Sequence, residues 1–184
     1  IELALERLRW LPDLGRDRLI AVNIPMFRLW AWDAVPSANP ATLDMSVIVG
    51  RAFDTETPTL VEEMRRVIFR PYWYVPTSIL RAEILPALRR SPDYLRRQDM
   101  EIFEGPVDAA QPVPTTPETL RRLRNGALNL RQRPGPRNPL GLVKFIFPND
   151  QHVYLHGTPE PELFRKTRRD FSHGCVRVED PVVM

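Results

Sequence analysis

Cysteine is nearly absent: Cys175 is the only one in 184 residues. A single thiol excludes a disulfide framework and any cysteine-rich metal centre. Lysine is almost as scarce, with Lys144 and Lys166 alone, so positive charge is carried by arginine. No apolar run approaches the roughly 20 residues that a membrane-crossing helix needs. An excess of one charge is also missing. The 26 basic and 23 acidic residues leave a net +3, too balanced to argue for nucleic-acid binding. Glycine is sparse at 8, whereas proline is abundant at 20, which predicts short elements joined by stiff connections. A hydrophobic content of 43% with 27% charged residues is globular and excludes bulk disorder. The chain opens at Ile1 in helix-like spacing and reads as a piece of a longer or processed chain. The lack of a leader therefore says nothing about compartment.

Residues 2–10 have helical spacing. Strand character follows at 18–24 and 26–33 (a hairpin around Asn23-Ile24-Pro25), then at 43–49 and 66–70. The last runs into the aromatic stretch Pro71-Tyr72-Trp73-Tyr74-Val75-Pro76. Residues 77–98 suit one or two short helices, with Pro86 and Pro92 as breaks and starts. The segment 104–117, with Pro106, Pro112, Pro114 and Pro117, reads as a linker, and 117–124 as a short helix. Strand character returns at 141–147 and 152–156 around the turn Pro148-Asn149-Asp150. A loop at 157–171 leads to a final strand-like run, 172–178. The expectation is a mainly β domain interrupted by a largely helical subdomain at 76–133.

Between Glu118 and Asp150 there are seven basic residues and no acidic one. These are Arg121, Arg122, Arg124, Arg131, Arg133, Arg137 and Lys144. The stretch is either a solvated basic face or a patch that attracts an acidic polymer or substrate carboxylate.

All three histidines and the cysteine fall within residues 152–184. His152, Tyr154 and His156 alternate, so a strand there would present them on one face. His173 and Cys175 share the same offset. Two such faces would bring an imidazole to a thiol, and a thiolate beside an imidazole is a nucleophile with its base. The N–H groups at Gly174 and Cys175 would then stabilise an oxyanion. Two alternatives stand beside this. A lone cysteine is often an inert buried hydrophobe. His152, His156, His173 and Cys175 also offer zinc ligand types, although their spacing matches no common zinc pattern.

At these residues the chain resembles the L,D-transpeptidase (YkuD-type) catalytic domain, in its larger YcbB-like branch. The resemblance rests on His156-Gly157-Thr158 followed by Ser172-His173-Gly174-Cys175-Val176-Arg177. Support comes from Glu6-Arg7-Leu8-Arg9-Trp10-Leu11-Pro12, Val22-Asn23-Ile24-Pro25, Asn138-Pro139-Leu140-Gly141 and Phe145-Ile146-Phe147-Pro148-Asn149. It implies a β-sandwich or barrel-like catalytic fold over 1–184, with the 76–133 insertion as a cap. It implies that Cys175 is acylated, that His156 is the general base, and that His173 shapes the pocket. Gly174 and Cys175 would supply oxyanion amides. Tyr154 and Gly157 would line the substrate site, and Ser172 would fix the loop. Arg177 would meet a substrate carboxylate, or else be a surface arginine. Trp73 would wall the groove, or else pack in a core.

The implied reaction joins peptidoglycan stem peptides through a cysteine thioester, with D-alanine released and no metal or cofactor. A hydrolase with the same nucleophile is the nearest rival, and a non-catalytic cell-wall-binding module the next. The resemblance further implies carbapenem-type β-lactams as inhibitors and a periplasmic or other extracytoplasmic site. It leaves room for a membrane anchor elsewhere in the parent protein. Two departures touch substrate detail: Arg177 stands where many relatives have Asn, and Gly157 where many of that branch have Asp. The chain also stops at Met184, sooner after the motif than relatives do.

Overall fold

The computed structural model describes residues 18–33 and 41–184, together with Glu2, Leu3 and Glu6, which are helical. The rest of the helix expected at 2–10 lies outside the described residues.

Strands β1 (Leu19–Asn23) and β2 (Arg28–Trp32) form the expected hairpin, in register Leu19↔Trp32 through Asn23↔Arg28. Asn23 closes the turn by accepting the Met26 N–H at 3.0 Å on its side-chain oxygen. Next come β3 (Leu43–Gly50), β4 (Arg66–Phe69), β9 (Val143–Ile146), β10 (Leu155–His156), β11 (Asp170–Ser172) and β12 (Val176–Val178). The large sheet runs β1-β2-β3-β12-β10-β9-β4, with β11 also pairing β3. Val47, Val49, Val143, Phe145, Leu155, Val176 and Val178 form its core with Leu29 and Met45. On β10 and β12 the residues between these point the other way, because side chains alternate along a strand.

A four-stranded sheet lies between Trp73 and Gln132, in the order β5 (Trp73–Tyr74), β8 (Asn129–Gln132), β6 (Met100–Glu104), β7 (Gln111–Val113). It has its own apolar cluster, built on Leu80, Ile84, Leu95, Ile102, Leu123 and Leu130. The helices expected here are present. Thr77–Ile79 continues through a π turn, Leu80–Ile84, into Leu85–Arg90. Pro86 is the second residue after that turn. It lacks an N–H and its ring crowds the carbonyl four residues back, which favours a widened turn. Helix Pro117–Arg124 starts where the sequence says. Thr116 and Thr119 form a reciprocal capping box, and Pro117 sits at the first position.

Two expectations change. The supposed linker at 104–117 contains β7, which pairs with β6. The strand expected at 152–156 shrinks to Leu155–His156. Asn149 is the cause: its side-chain oxygen accepts the Val153 N–H at 2.9 Å, and its NH2 donates to the carbonyls of Val153 (2.8 Å) and Phe147 (3.0 Å). This locks 149–153 as a turn and puts His152 at a left-handed φ of 56°.

Candidate active site

Three cross-strand partners on the face opposite the core define the site. His156 on β10 pairs with Lys144 on β9 and with Arg177 on β12. Register partners share a face, so one imidazole sits between two cations. Two residues before His156, the Tyr154 ring lies 5.6 Å from the imidazole, centroid to centroid. Two residues before Arg177 stands Cys175, near enough to Tyr154 that its backbone and side chain favour the thiolate. The Val176 N–H donates to the Tyr154 carbonyl at 3.1 Å, tying the two segments together.

Cys175 is carried by a tight bend between β11 and β12. Buried Ser172 closes it: its Oγ accepts the Gly174 N–H at 3.1 Å and donates to the Cys175 carbonyl. Gly174 sits at φ 114°, a conformation L-residues rarely adopt. Its N–H, expected to face an oxyanion, is therefore engaged by Ser172. The Cys175 N–H donates to no described residue.

Burial pushes the Cys175 thiol up. The Tyr154 hydrogen bonds and the charges of Lys144 and Arg177 oppose this without overcoming it. Burial likewise pulls His156 down to about 3, helped by Arg177 and Lys144. Its Nδ1 lies 2.5 Å from the Gly157 carbonyl. A carbonyl only accepts, so Nδ1 carries the proton and Nε2 keeps its lone pair. Burial also lowers the Lys144 ammonium, which sits 3.7 Å from the centroid of the Tyr154 ring. The Arg177 Nη1 pairs with Glu160 at 2.8 Å, while its buried Nε has no hydrogen-bond partner.

The structure thus gathers Cys175, Tyr154, His156, Gly157, Ser172, Gly174 and Arg177. It sends the others elsewhere. His173 and Cys175 lie in a bend and not on a strand, so their spacing of two does not align them. The His173 Nε2 reaches Glu83 Oε1 of the π turn at 2.9 Å. His152 is exposed, and only its carbonyl approaches the Cys175 sulfur, at 3.9 Å. Among the described residues no group of three or more His, Cys, Asp or Glu side chains is placed to hold a metal. Trp73 packs against the cluster of the second sheet, the alternative of the two readings given to it. Gly157 serves His156 through its carbonyl and packs closely on Gly141, where an added Cβ would lie 2.7 Å from the Gly157 carbonyl carbon.

The basic stretch is largely neutralised by acids from outside it. Arg131 and Arg133 share Glu101 at 2.6 and 2.7 Å, Arg122 meets Glu104 at 2.5 Å, and Arg137 pairs with Asp99. Sequence reasoning missed Lys144 as a site residue, although it is the lone charge in the apolar run 142–147.

The family comparison points the same way as this geometry. The YkuD sequence profile, described as the L,D-transpeptidase catalytic domain, matches residues 17–184. A Haemophilus influenzae protein named "Putative L,D-transpeptidase" is 30% identical over 174 residues, which is 95% of this chain and 34% of that protein. The chain therefore spans about a third of the length of that curated relative. With a thiol, a neutral imidazole and a motif loop on one sheet face, and a match over all but the first 16 residues, the chain belongs to the YkuD family of L,D-transpeptidase catalytic domains.

Proposed function

We propose that this chain carries out two-step acyl transfer on peptidoglycan stem peptides. Cys175 attacks the carbonyl of the third stem residue. The S–C bond forms, the C–N bond to the terminal D-alanine breaks, and the thiol proton ends on the departing amine. An amine of a second stem then attacks the thioester, which releases Cys175 and leaves a cross-link between two third-position residues. The observation that carries this reading is that the segment bearing Cys175 is tied to Tyr154 through the Val176 N–H, with the Tyr154 ring 5.6 Å from a neutral imidazole. A raised thiol pKa means that the resting nucleophile is protonated, so attack needs a base. As the family resemblance implies, the His156 Nε2 lone pair is the base, taking the thiol proton as the S–C bond forms and returning it to the departing amine. Arg177 supplies a positive charge for a stem carboxylate. The segment 76–133 acts as a cap that excludes water, and Glu83 on His173 is a contact it makes with the motif loop. The reaction belongs outside the cytoplasmic membrane, where peptidoglycan is built. No described helix is long and apolar enough to cross a membrane.

The test is intact-protein mass after incubation with a carbapenem, followed by product analysis with stem tetrapeptides. One adduct on the wild-type protein, absent in Cys175→Ala, is the expected result. Cross-linked dimers support transfer, whereas tripeptide alone assigns a carboxypeptidase. An unmodified wild-type protein removes the acyl-transfer reading.

A further inference from the structure

The loop after β3 folds back onto the nucleophile bend. Arg51 N–H and Thr55 Oγ1 donate to the Ser172 carbonyl at 3.2 and 3.0 Å. Thr57 Oγ1 accepts the Gly50 N–H at 2.8 Å and donates to the Gly174 carbonyl at 2.8 Å. These roles are unambiguous, because an amide N–H only donates and a carbonyl only accepts. A half-buried hydroxyl thus links the end of β3 to the peptide just before the nucleophile.

That peptide unit matters. In a planar trans peptide the C=O and the following N–H point in opposite directions. Anchoring the Gly174 carbonyl on Thr57 therefore turns the Cys175 N–H away from the 51–57 loop. This is the amide that no described group engages, since Ser172 takes the Gly174 N–H and Tyr154 the Val176 N–H. Gly174, at φ 114°, is the residue of the bend with the fewest steric limits, so rotation of this peptide is cheap unless something holds it.

We propose that Thr57 is a positioning residue that fixes the Gly174–Cys175 peptide with the Cys175 N–H directed at the oxyanion formed during acylation. This rests on the acyl-transfer reading. Thr57 does not touch the reacting atoms; it acts through the orientation of one amide.

Two electrophiles separate this role from a structural one. A carbapenem acylates the thiol through an oxyanion: S–C forms, the lactam C–N breaks, and the ring nitrogen takes the proton. Iodoacetamide alkylates the same thiol by displacement of iodide and develops no oxyanion. Thr57→Val is expected to lose about 100-fold in carbapenem acylation rate, the order seen when an oxyanion donor is removed, with the iodoacetamide rate unchanged. Thr57→Ser is expected to acylate like the wild type. Thr57→Ala, also without the hydroxyl, serves if the valine variant does not fold. An equal fall with both electrophiles, or unchanged acylation, overturns the proposal. A wild-type protein that is alkylated but never acylated removes the underlying reading instead.

Discussion

At the scale of single residues, the site is set by burial acting on two groups in opposite directions. His156 is neutral because an imidazolium there would lack solvent and face Lys144 and Arg177. Its folded pKa, about 3, lies below the unbound value of 6.5. Between those values the unfolded chain binds one more proton than the folded one, so stability falls as pH drops through this window. The slope is about 1.4 kcal/mol per pH unit. His156→Gln is expected to flatten that limb in urea unfolding followed from pH 7 to pH 4. The thiol moves the other way. Its alkylation rate is expected to keep rising through pH 9, because Cys175 sits above its usual 9.0. Lys144→Met removes a charge that favours the thiolate and is expected to shift the rate profile to still higher pH. An unmoved profile would show that the ammonium over Tyr154 does not reach the sulfur.

At the scale of elements, turns do more than strands to aim the side chains. Asn149→Ala leaves the Val153 N–H and two carbonyls without their partner. A loss of about 2 kcal/mol is expected, a drop of roughly 4–8 °C in thermal midpoint for a chain this size. Gly141→Ala is expected to be worse, since φ is 63° and the new Cβ would lie 2.6 Å from the Thr158 nitrogen and press on Gly157, whose carbonyl holds His156. These turns also mark what could be read in advance. The hairpin, β3, β4, β9 and helix 117–124 were legible because hydrophobic alternation and proline breaks are local signals. The motif with Cys175 and His156 was legible as a cluster. The shortened β10 was not, because Asn149 competes for backbone groups that alternation assigns to a strand. Nor were Thr57 on Gly174 or Glu83 on His173, since no local pattern announces a contact across about a hundred residues. The pairing of the basic stretch with Asp99, Glu101 and Glu104 was hidden too, because partners 18 to 38 residues apart meet only through the strand pairing of the second sheet.

At the scale of the molecule, two sheets carry two separate apolar clusters, and the Glu83–His173 pair joins one to the loop of the other. Both side chains are substantially exposed, so the pair contributes less than about 1 kcal/mol. Glu83→Ala is expected to leave the thermal midpoint within about 2 °C while raising the share of hydrolysed over cross-linked product. An unchanged product ratio would argue against a cap acting through this contact. The strand order has another consequence. β12 is the last strand of the chain, yet it lies in the middle of the large sheet, between β3 and β10. As the chain leaves a ribosome, β1-β2-β3 and β10-β9-β4 are two ribbons, each with an open edge, until β12 emerges and stitches them together. Open edges invite pairing with other chains, so these ribbons are the stage of synthesis most exposed to misassembly. The segment that ends the exposure begins one residue after Cys175. Closing the sheet and setting Cys175 beside Tyr154 are therefore one event, and a partly made chain does not hold its thiol in that place.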